Sequence, residues 1–304
     1  MSIDCFFVGL DAGGSQTLLL ADCEGCSERV DRQGPAVNPQ RMGGDQAART
    51  LATLVWETLP AHRPIQRLSV CAGVAGAGRE AEQEALADQL RGTLAEGAEV
   101  VQIEVTHDAD IALEAAFGTG SGLVVIAGTG SVVFGRTQDG TTHRVGGWGH
   151  LLGDAGSGYA VGRAGLRAVA EAFDGGSDTS IRARVDERYD VAEREALIHR
   201  IYQDEIALQN VAPLVIEAAE QGDPVASDIL STQAAELAQQ VEWLLDGTDD
   251  VVPRVALLGG MLRNEHYATV LARILRERVP DWTVDILRDE PVLGALRRAR
   301  RLCD

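Results

Sequence analysis

The sequence contains no lysine: all 27 of its basic residues are arginine, set against 46 aspartates and glutamates. That absence excludes several chemistries. A P-loop nucleotide site needs its phosphate-binding lysine, a protein kinase its strand lysine, and a Schiff-base enzyme its amine. The formal net charge is −19, with a pI near 4.7, so nucleic acid and anionic membranes are poor partners. Two readings of the composition stay open. A GC-rich genome favours Arg, Ala and Gly codons, and salt adaptation favours a carboxylate surface that ions must screen. Hyperthermophily fits less well, because its usual signal is Lys and Glu enriched together.

Other absences narrow the class further. No apolar run reaches the roughly 18 residues of a membrane span. The first apolar run has no basic segment before it and is bracketed by Asp4 and Asp11, so it reads as a strand and the protein is expected in the cytoplasm. The five cysteines are Cys5, Cys23, Cys26, Cys71 and Cys303. Cys5 and Cys71 lie in strand-like apolar runs and are expected to be small core residues. Cys23-Glu-Gly-Cys26 has neither a second pair nor a histidine cluster and falls at a hairpin, so it reads as a turn. No charged linker or low-complexity segment divides the 304 residues, enough for two ordinary domains.

What is present is a repeated pattern. Strands are expected at 4–10 and 16–22, with a third near 26–32, then helix at 47–59, strand from Arg67, helix at 80–94, strand at 100–105 and a helix that stops at Gly118. The order then begins again: strands at 123–126 and 132–137, a third near 142–145, a long helical stretch over 159–173 and 191–245 broken at "QGDP", strand at 255–258, helix at 264–278, strand at 283–287 and a last helix from Pro291. The halves are expected to be residues 1–118 and 119–304, packed face to face, with the last helix returning to the first half.

Each half opens on a hairpin with a turn of small residues, "DAGGSQT" (11–17) and "AGTGS" (127–131). Glycines let backbone N–H groups approach an anion, and Thr or Ser hydroxyls add donors. Either turn alone is only a tight turn. At matching places in a repeated unit, the two would grip a polyphosphate from both sides.

These turns, with "LLGG" (257–260), resemble the two phosphate motifs and the adenosine motif of the actin-like sugar kinase and Hsp70 superfamily. "GGWGHLLGDAGSGYAVG" (146–162) and "VTHDADIAL" (105–113) are similar to segments of N-acetylglucosamine kinases and the BadF/BadG/BcrA/BcrD ATPase group. The resemblance implies an α/β fold of two duplicated actin-like (ribonuclease H-like) domains with a nucleotide cleft between them and a helical insertion in the second. It implies that ATP is held by Gly13, Gly14, Ser15, Thr17, Gly128, Thr129, Gly130, Ser131, Gly259 and Gly260, with Mg2+ near Asp11. It makes Asp108 the catalytic base, a role that coexists with capping the helix it opens. Asn38, Gly147, Trp148 and Asp154, together with Asp108, would contact the sugar, although Trp148 also suits a core and Asp154 an N-cap. His107 is set aside, since neighbours on a strand face opposite ways.

The sequence departs from that pattern at Ala12 and Ser15, at Ala155 where a Glu is common, and in "GVAGAG" (73–78), which lacks a serine that contacts the acetyl group in some N-acetylglucosamine kinases. The expected activity is transfer of the ATP γ-phosphoryl group to the 6-hydroxyl of N-acetylglucosamine or glucosamine, by a homodimer, as the resemblance implies. The alternative is an ATPase that activates a 2-hydroxyacyl-CoA dehydratase through a shared iron–sulfur cluster, but no cysteine lies between Cys71 and Cys303 to supply ligands. A sugar-sensing repressor would need a helix-turn-helix ahead of a strand that already begins by Asp4.

Overall fold

The computed structural model describes residues 3–25, 29–60, 64–95, 98–203, 205–288 and 290–303. The chain forms two compact units, Met1–Gly120 with Asp289–Asp304, and Ser121–Arg288.

In the first unit β1 (Ile3–Ala12), β2 (Thr17–Cys23) and β3 (Val30–Gly34) run antiparallel, while β4 (Ile65–Val74) and β5 (Val100–His107) extend parallel from the other side of β1. The sheet order is β3-β2-β1-β4-β5. Alternation along the strands sorts side chains between two faces. Phe6, Val8 and Leu10 of β1 with Val70 and Ala72 of β4 meet the apolar stripes of α2 (Gly44–Trp56) and α3 (Glu80–Leu94). Phe7 and Cys71 point the other way, toward α4 (Asp108–Phe117) and α11 (Pro291–Cys303). A Cβ on Gly9 would overlap the Leu296 backbone, and one on Gly294 would overlap the backbone of α4. Glycine at both positions therefore sets how closely α11 lies on the sheet and on the helix that Asp108 opens.

α11 is also held by charge. Arg301 pairs with the buried Glu114 through two bonds of 2.6 and 2.8 Å, Arg298 pairs with Glu104, and Arg300 with Asp22. The arginines of these pairs are partly exposed and solvent screens them, but Glu114 is buried, so losing Arg301 would leave its carboxylate uncompensated. Cys5 corrects the sequence reading. It is buried as expected, but it is disulfide-bonded to Cys303 at the end of α11. Cys71 is a buried free thiol, and burial pushes its pKa well up. Cys23 is disulfide-bonded, and the rest of its turn, 26–28, lies outside the described residues.

The second unit repeats the sheet. β6 (Gly122–Ala127), β7 (Ser131–Arg136) and β8 (Thr142–Gly146) are antiparallel, β9 (Arg254–Leu258) and β10 (Thr283–Ile286) are parallel to β6, and the order is β10-β9-β6-β7-β8. Read from its far edge, this is the order of the first sheet. Between β8 and β9 come α5 (Gly158–Phe173), α6 (Ser180–Tyr189), α7 (Arg194–Tyr202), a 3-10 turn (Leu208–Val211), α8 (Ala212–Glu220) and α9 (Pro224–Asp246); α10 (Glu265–Arg278) links β9 to β10. The stretch 191–245 is thus broken before "QGDP" as well, and α6 was not anticipated. Asp223 joins the new helix to the break: Oδ2 accepts from the Thr179 hydroxyl (3.0 Å) and the Ser180 N–H (2.6 Å), and Oδ1 accepts from the Ala226 N–H (3.0 Å) at the start of α9.

Candidate functional site

The predicted residues of the first unit gather at the C-terminal ends of its parallel strands. Open α/β sheets present ligand-binding crevices at that edge. Asp11 is partly buried near the end of β1. Burial, then the nearby Asp108 and Glu290 charges, push its carboxyl up to about 7. Asp108 follows β5 as the first residue of α4. The N-cap is His107 and not Asp108. The Ala109 N–H donates to Asp108 Oδ1 (2.9 Å), and His107 Nδ1 lies 3.2 Å from that N–H nitrogen and 2.6 Å from the same Oδ1, a separation at which Nδ1–H donates to the carboxylate.

His107, set aside on the alternation rule, lies beside Asp108 in the structure. The rule ends where the strand does, and the change to helical backbone at Asp108 swings both side chains to one side. Asp110 is engaged separately, accepting from the Thr106 hydroxyl at 2.6 Å.

The first glycine turn is closed by the Gly13 N–H donating to Gln16 O (3.0 Å), and Gly13 O accepts from the Val37 N–H (3.2 Å). Gly14 and Ser15 are exposed. The Thr17 hydroxyl is buried and donates to Pro35 O at 2.7 Å, so its proton ties the turn to the next loop. Asn38 caps the one-turn helix α1 (Pro39–Met42), accepting from the Gln40 N–H at 3.0 Å. Its amide also covers Gly76, where a Cβ would sit 2.8 Å from Oδ1.

In the second unit the Gly128 N–H closes the turn on Gly130 O (2.8 Å). Gly128 O and Thr129 O accept from the Gly158 (2.8 Å) and Tyr159 (3.2 Å) N–H groups at the start of α5. The register of β6 with β9 sets Ile126 beside Leu258 and so brings Gly259 and Gly260 against this turn. Gly259 has φ +111°, and a Cβ there would overlap the Ala127 carbonyl.

Asp154 also lies in this unit, buried, and its φ of +64° is one that a non-glycine residue rarely adopts. Burial raises its pKa; hydrogen bonds from the Ser131 and Gly149 N–H groups work against that. Ser157, not Asp154, caps α5. The Ser131 hydroxyl donates to Ala155 O at 2.6 Å. Trp148 is not a core residue: it is 75% exposed, flanked by Gly147 and Gly149 at φ +65° and +83°. Arg144 fixes this loop by donating to the Gly146 (3.1 Å) and Gly147 carbonyls.

Mg2+ fits the residues of the first unit in one respect. Asp11 lies in uncompensated negative potential, which a divalent cation offsets. Among the described residues, no three or more His, Cys, Asp or Glu side chains converge to cage a metal.

The comparisons with known proteins bear on this geometry. An N-acetylmuramic acid/N-acetylglucosamine kinase of Clostridium acetobutylicum is 29% identical over 309 aligned positions, covering 98% of this chain and 99% of the relative. An N-acetyl-D-glucosamine kinase of Dictyostelium discoideum is 28% identical, covering 95% and 96%. In fold, the crystal structure of a Chromobacterium violaceum protein superposes with TM-score 0.74 at 22% identity, covering 98% and 99%. A ROK family glucokinase from Streptomyces griseus, solved with glucose and AMPPNP, superposes with TM-score 0.59 at 14% identity, covering 97% and 99%. The duplicated sheets are thus those of the actin-like and ROK kinase fold. Residues 8–296 match the BadF/BadG/BcrA/BcrD ATPase family, and the chain belongs to it.

Proposed function

We propose that the protein is an ATP-dependent amino-sugar kinase, transferring the γ-phosphoryl group of ATP to the 6-hydroxyl of N-acetylglucosamine or glucosamine. The observation that carries the reading is Asp108. It is a partly exposed carboxylate at the start of α4, oriented by the Ala109 N–H and close to His107, in a chain whose full-length relatives carry the names of N-acetylglucosamine kinases. Phosphoryl transfer asks the protein for positioning and charge rather than covalent chemistry.

Asp108 takes the proton of the acceptor hydroxyl as the new P–O bond forms. Asp154 accepts hydrogen bonds from sugar hydroxyls, with Trp148, Gly147 and Asn38 bounding the ring. Gly14 and Ser15 of the first turn and Thr129 and Gly130 of the second border the phosphates; Gly13, Thr17, Gly128 and Ser131, whose N–H or hydroxyl donors are bonded within the protein, hold the two turns in shape, and Gly259 and Gly260 leave room for the nucleoside. Mg2+, held through water near Asp11, supplies neutralisation of phosphate charge. A cytoplasmic homodimer belongs to the same proposal; among the described residues, no helix is long and apolar enough to cross a membrane.

The test is ADP release from Mg-ATP with N-acetylglucosamine, glucosamine, N-acetylmuramic acid, glucose or no sugar, at low and molar KCl. Stimulation by an amino sugar supports the proposal. Equal ADP release in every tube overturns it. Nothing favours the dehydratase-activator reading, because among the described residues the one free cysteine, Cys71, is buried.

A further inference from the structure

Beside the glycine-rich loop, the second unit holds a cavity of about 760 Å3 whose walls, Trp148 apart, have no part in the proposed roles. Its walls are the segment from Val145 to Ala155, the first turns of α5 and one face of α9. The volume falls inside the range of small-molecule sites, about 300–1,000 Å3.

Two tryptophans border the cavity, Trp148 from the loop and Trp243 from α9, 75% and 57% exposed. They are two of only four in the chain. Large aromatics ordinarily bury 150–250 Å2 each. Leaving two of them wet at one cavity forgoes apolar burial that a ligand could supply.

The polar side is equally specific. Gln240 lines the same cavity and is only 7% exposed, and its Oε1 has no hydrogen-bond partner among the described residues. A buried acceptor left without a partner carries its full desolvation cost. Arg163, on the exposed face of α5, also lines the cavity and forms no ion pair among the described residues. Arg278 is different, since its guanidinium is already held by Glu242 at 2.6 Å.

These groups define what fits. Flat aromatic faces suit the C–H face of a pyranose ring, and a guanidinium suits the hydroxyls around its rim. One unpaired cation, with Glu236 also in the wall, suits a neutral ligand better than a polyphosphate.

We propose that this cavity is a second saccharide subsite, taking a pyranose linked glycosidically to the acceptor sugar. Gly146 and Trp148 belong both to its wall and to the loop assigned to the acceptor, so the two rings would be contiguous. The inference rests on the amino-sugar reading of that loop.

The test titrates intrinsic tryptophan fluorescence of the full chain, without nucleotide, with N-acetylglucosamine and with its β-1,4-linked disaccharide. The same titrations are run on Trp243→Ala and Arg163→Ala, both at exposed positions, and turnover of N-acetylglucosamine with Mg-ATP is measured alongside. The expected result is disaccharide affinity at least tenfold above that of the monosaccharide in the native chain. Each substitution should remove most of that gain and leave KM and kcat for the monosaccharide within about twofold. Equal affinities in the native chain overturn the proposal, as does a gain that survives both substitutions. A disaccharide that does not bind, together with a dimer that Trp243→Ala converts to monomer, overturns it in favour of a second copy on this face. Trp243-dependent disaccharide binding without any sugar phosphorylation removes the kinase reading and leaves the saccharide site standing.

Discussion

The two units carry the same five-stranded sheet and opposite chemistry at its edge. At the ends of β1 and β5 the first unit places Asp11 and Asp108; at the ends of β6 and β9 the second places Gly128 and Gly259. One edge concentrates negative charge, and the other removes side chains. A phosphoryl-transfer enzyme needs both a carboxylate at the acceptor and close backbone approach at the phosphates. On the proposed function, the first edge serves the acceptor and the second the phosphates, on sheets of the same order. The remainder of each unit follows the same division. The first is closed by α11 through arginine–carboxylate pairs and a disulfide, the second by six helices, α5 to α10, over a large apolar core.

The sharpest way to break that comparison is to exchange its edges. Asp108→Asn is expected to lower kcat by about 10^3, within the range of a lost general base, and to leave nucleotide affinity within about threefold. Asp154→Asn in the other unit should act mainly on KM for the sugar. Steady-state kinetics with nucleotide titration separates them, and near-normal turnover in Asp108→Asn would remove it as base.

Second in size is the disulfide between Cys5 and Cys303, which spans 298 residues of sequence. Cys303→Ser should cost about 2–4 kcal/mol in chemical denaturation. The loss should appear in hydrogen exchange of β1 and α11 and spare β6 to β10. Uniform loss across both sheets would mean that the units do not unfold separately.

The matched turns give the third. Gly259→Ala places a Cβ against the Ala127 carbonyl at φ +111° and should cost about 1–3 kcal/mol. Gly13→Ala meets only Gln16 O at 3.3 Å and should change thermal stability much less. Equal shifts in Tm would contradict the packing described at the second turn.

The smallest effect is in pH. The Asp11 carboxyl is pushed up to about 7 in the fold against 3.8 for a free aspartate side chain, so stability it contributes below about pH 4 is lost as pH rises through about 7. Asp11→Asn should therefore match the native chain at pH 4 and exceed it in Tm at pH 8 without Mg2+. A variant less stable at pH 8 would contradict the charge environment assigned to Asp11.

The fold was legible where periodicity and glycine coincide. "FFVGLDAGGSQTLLLAD" and "GLVVIAGTGSVVFG" each read as strand, turn and strand, and the α/β duplication follows from them. It was less legible where long-range partners decide. Cys5 reads as a core residue because its partner lies at the far end of the chain. α6 buries little beyond Ile181 and Val185, and its start is fixed by Asp223 far along the sequence. At the candidate site, Asp11 and Asp108 stand out as acids at strand ends, whereas His107 needed the backbone turn between β5 and α4 to be seen. The strained backbone of Asp154 has no sequence signal, since Asp before a helix suggests a cap and Ser157 takes that place.

The central claim, transfer of phosphate to an amino sugar with Asp108 as base, is tested most directly by 31P NMR of the products formed from Mg-ATP and N-acetylglucosamine. The account predicts a phosphomonoester split by the two protons of C6, formed by the native chain and absent with Asp108→Asn. Inorganic phosphate as the sole new signal, at equal rates with and without sugar, would contradict it.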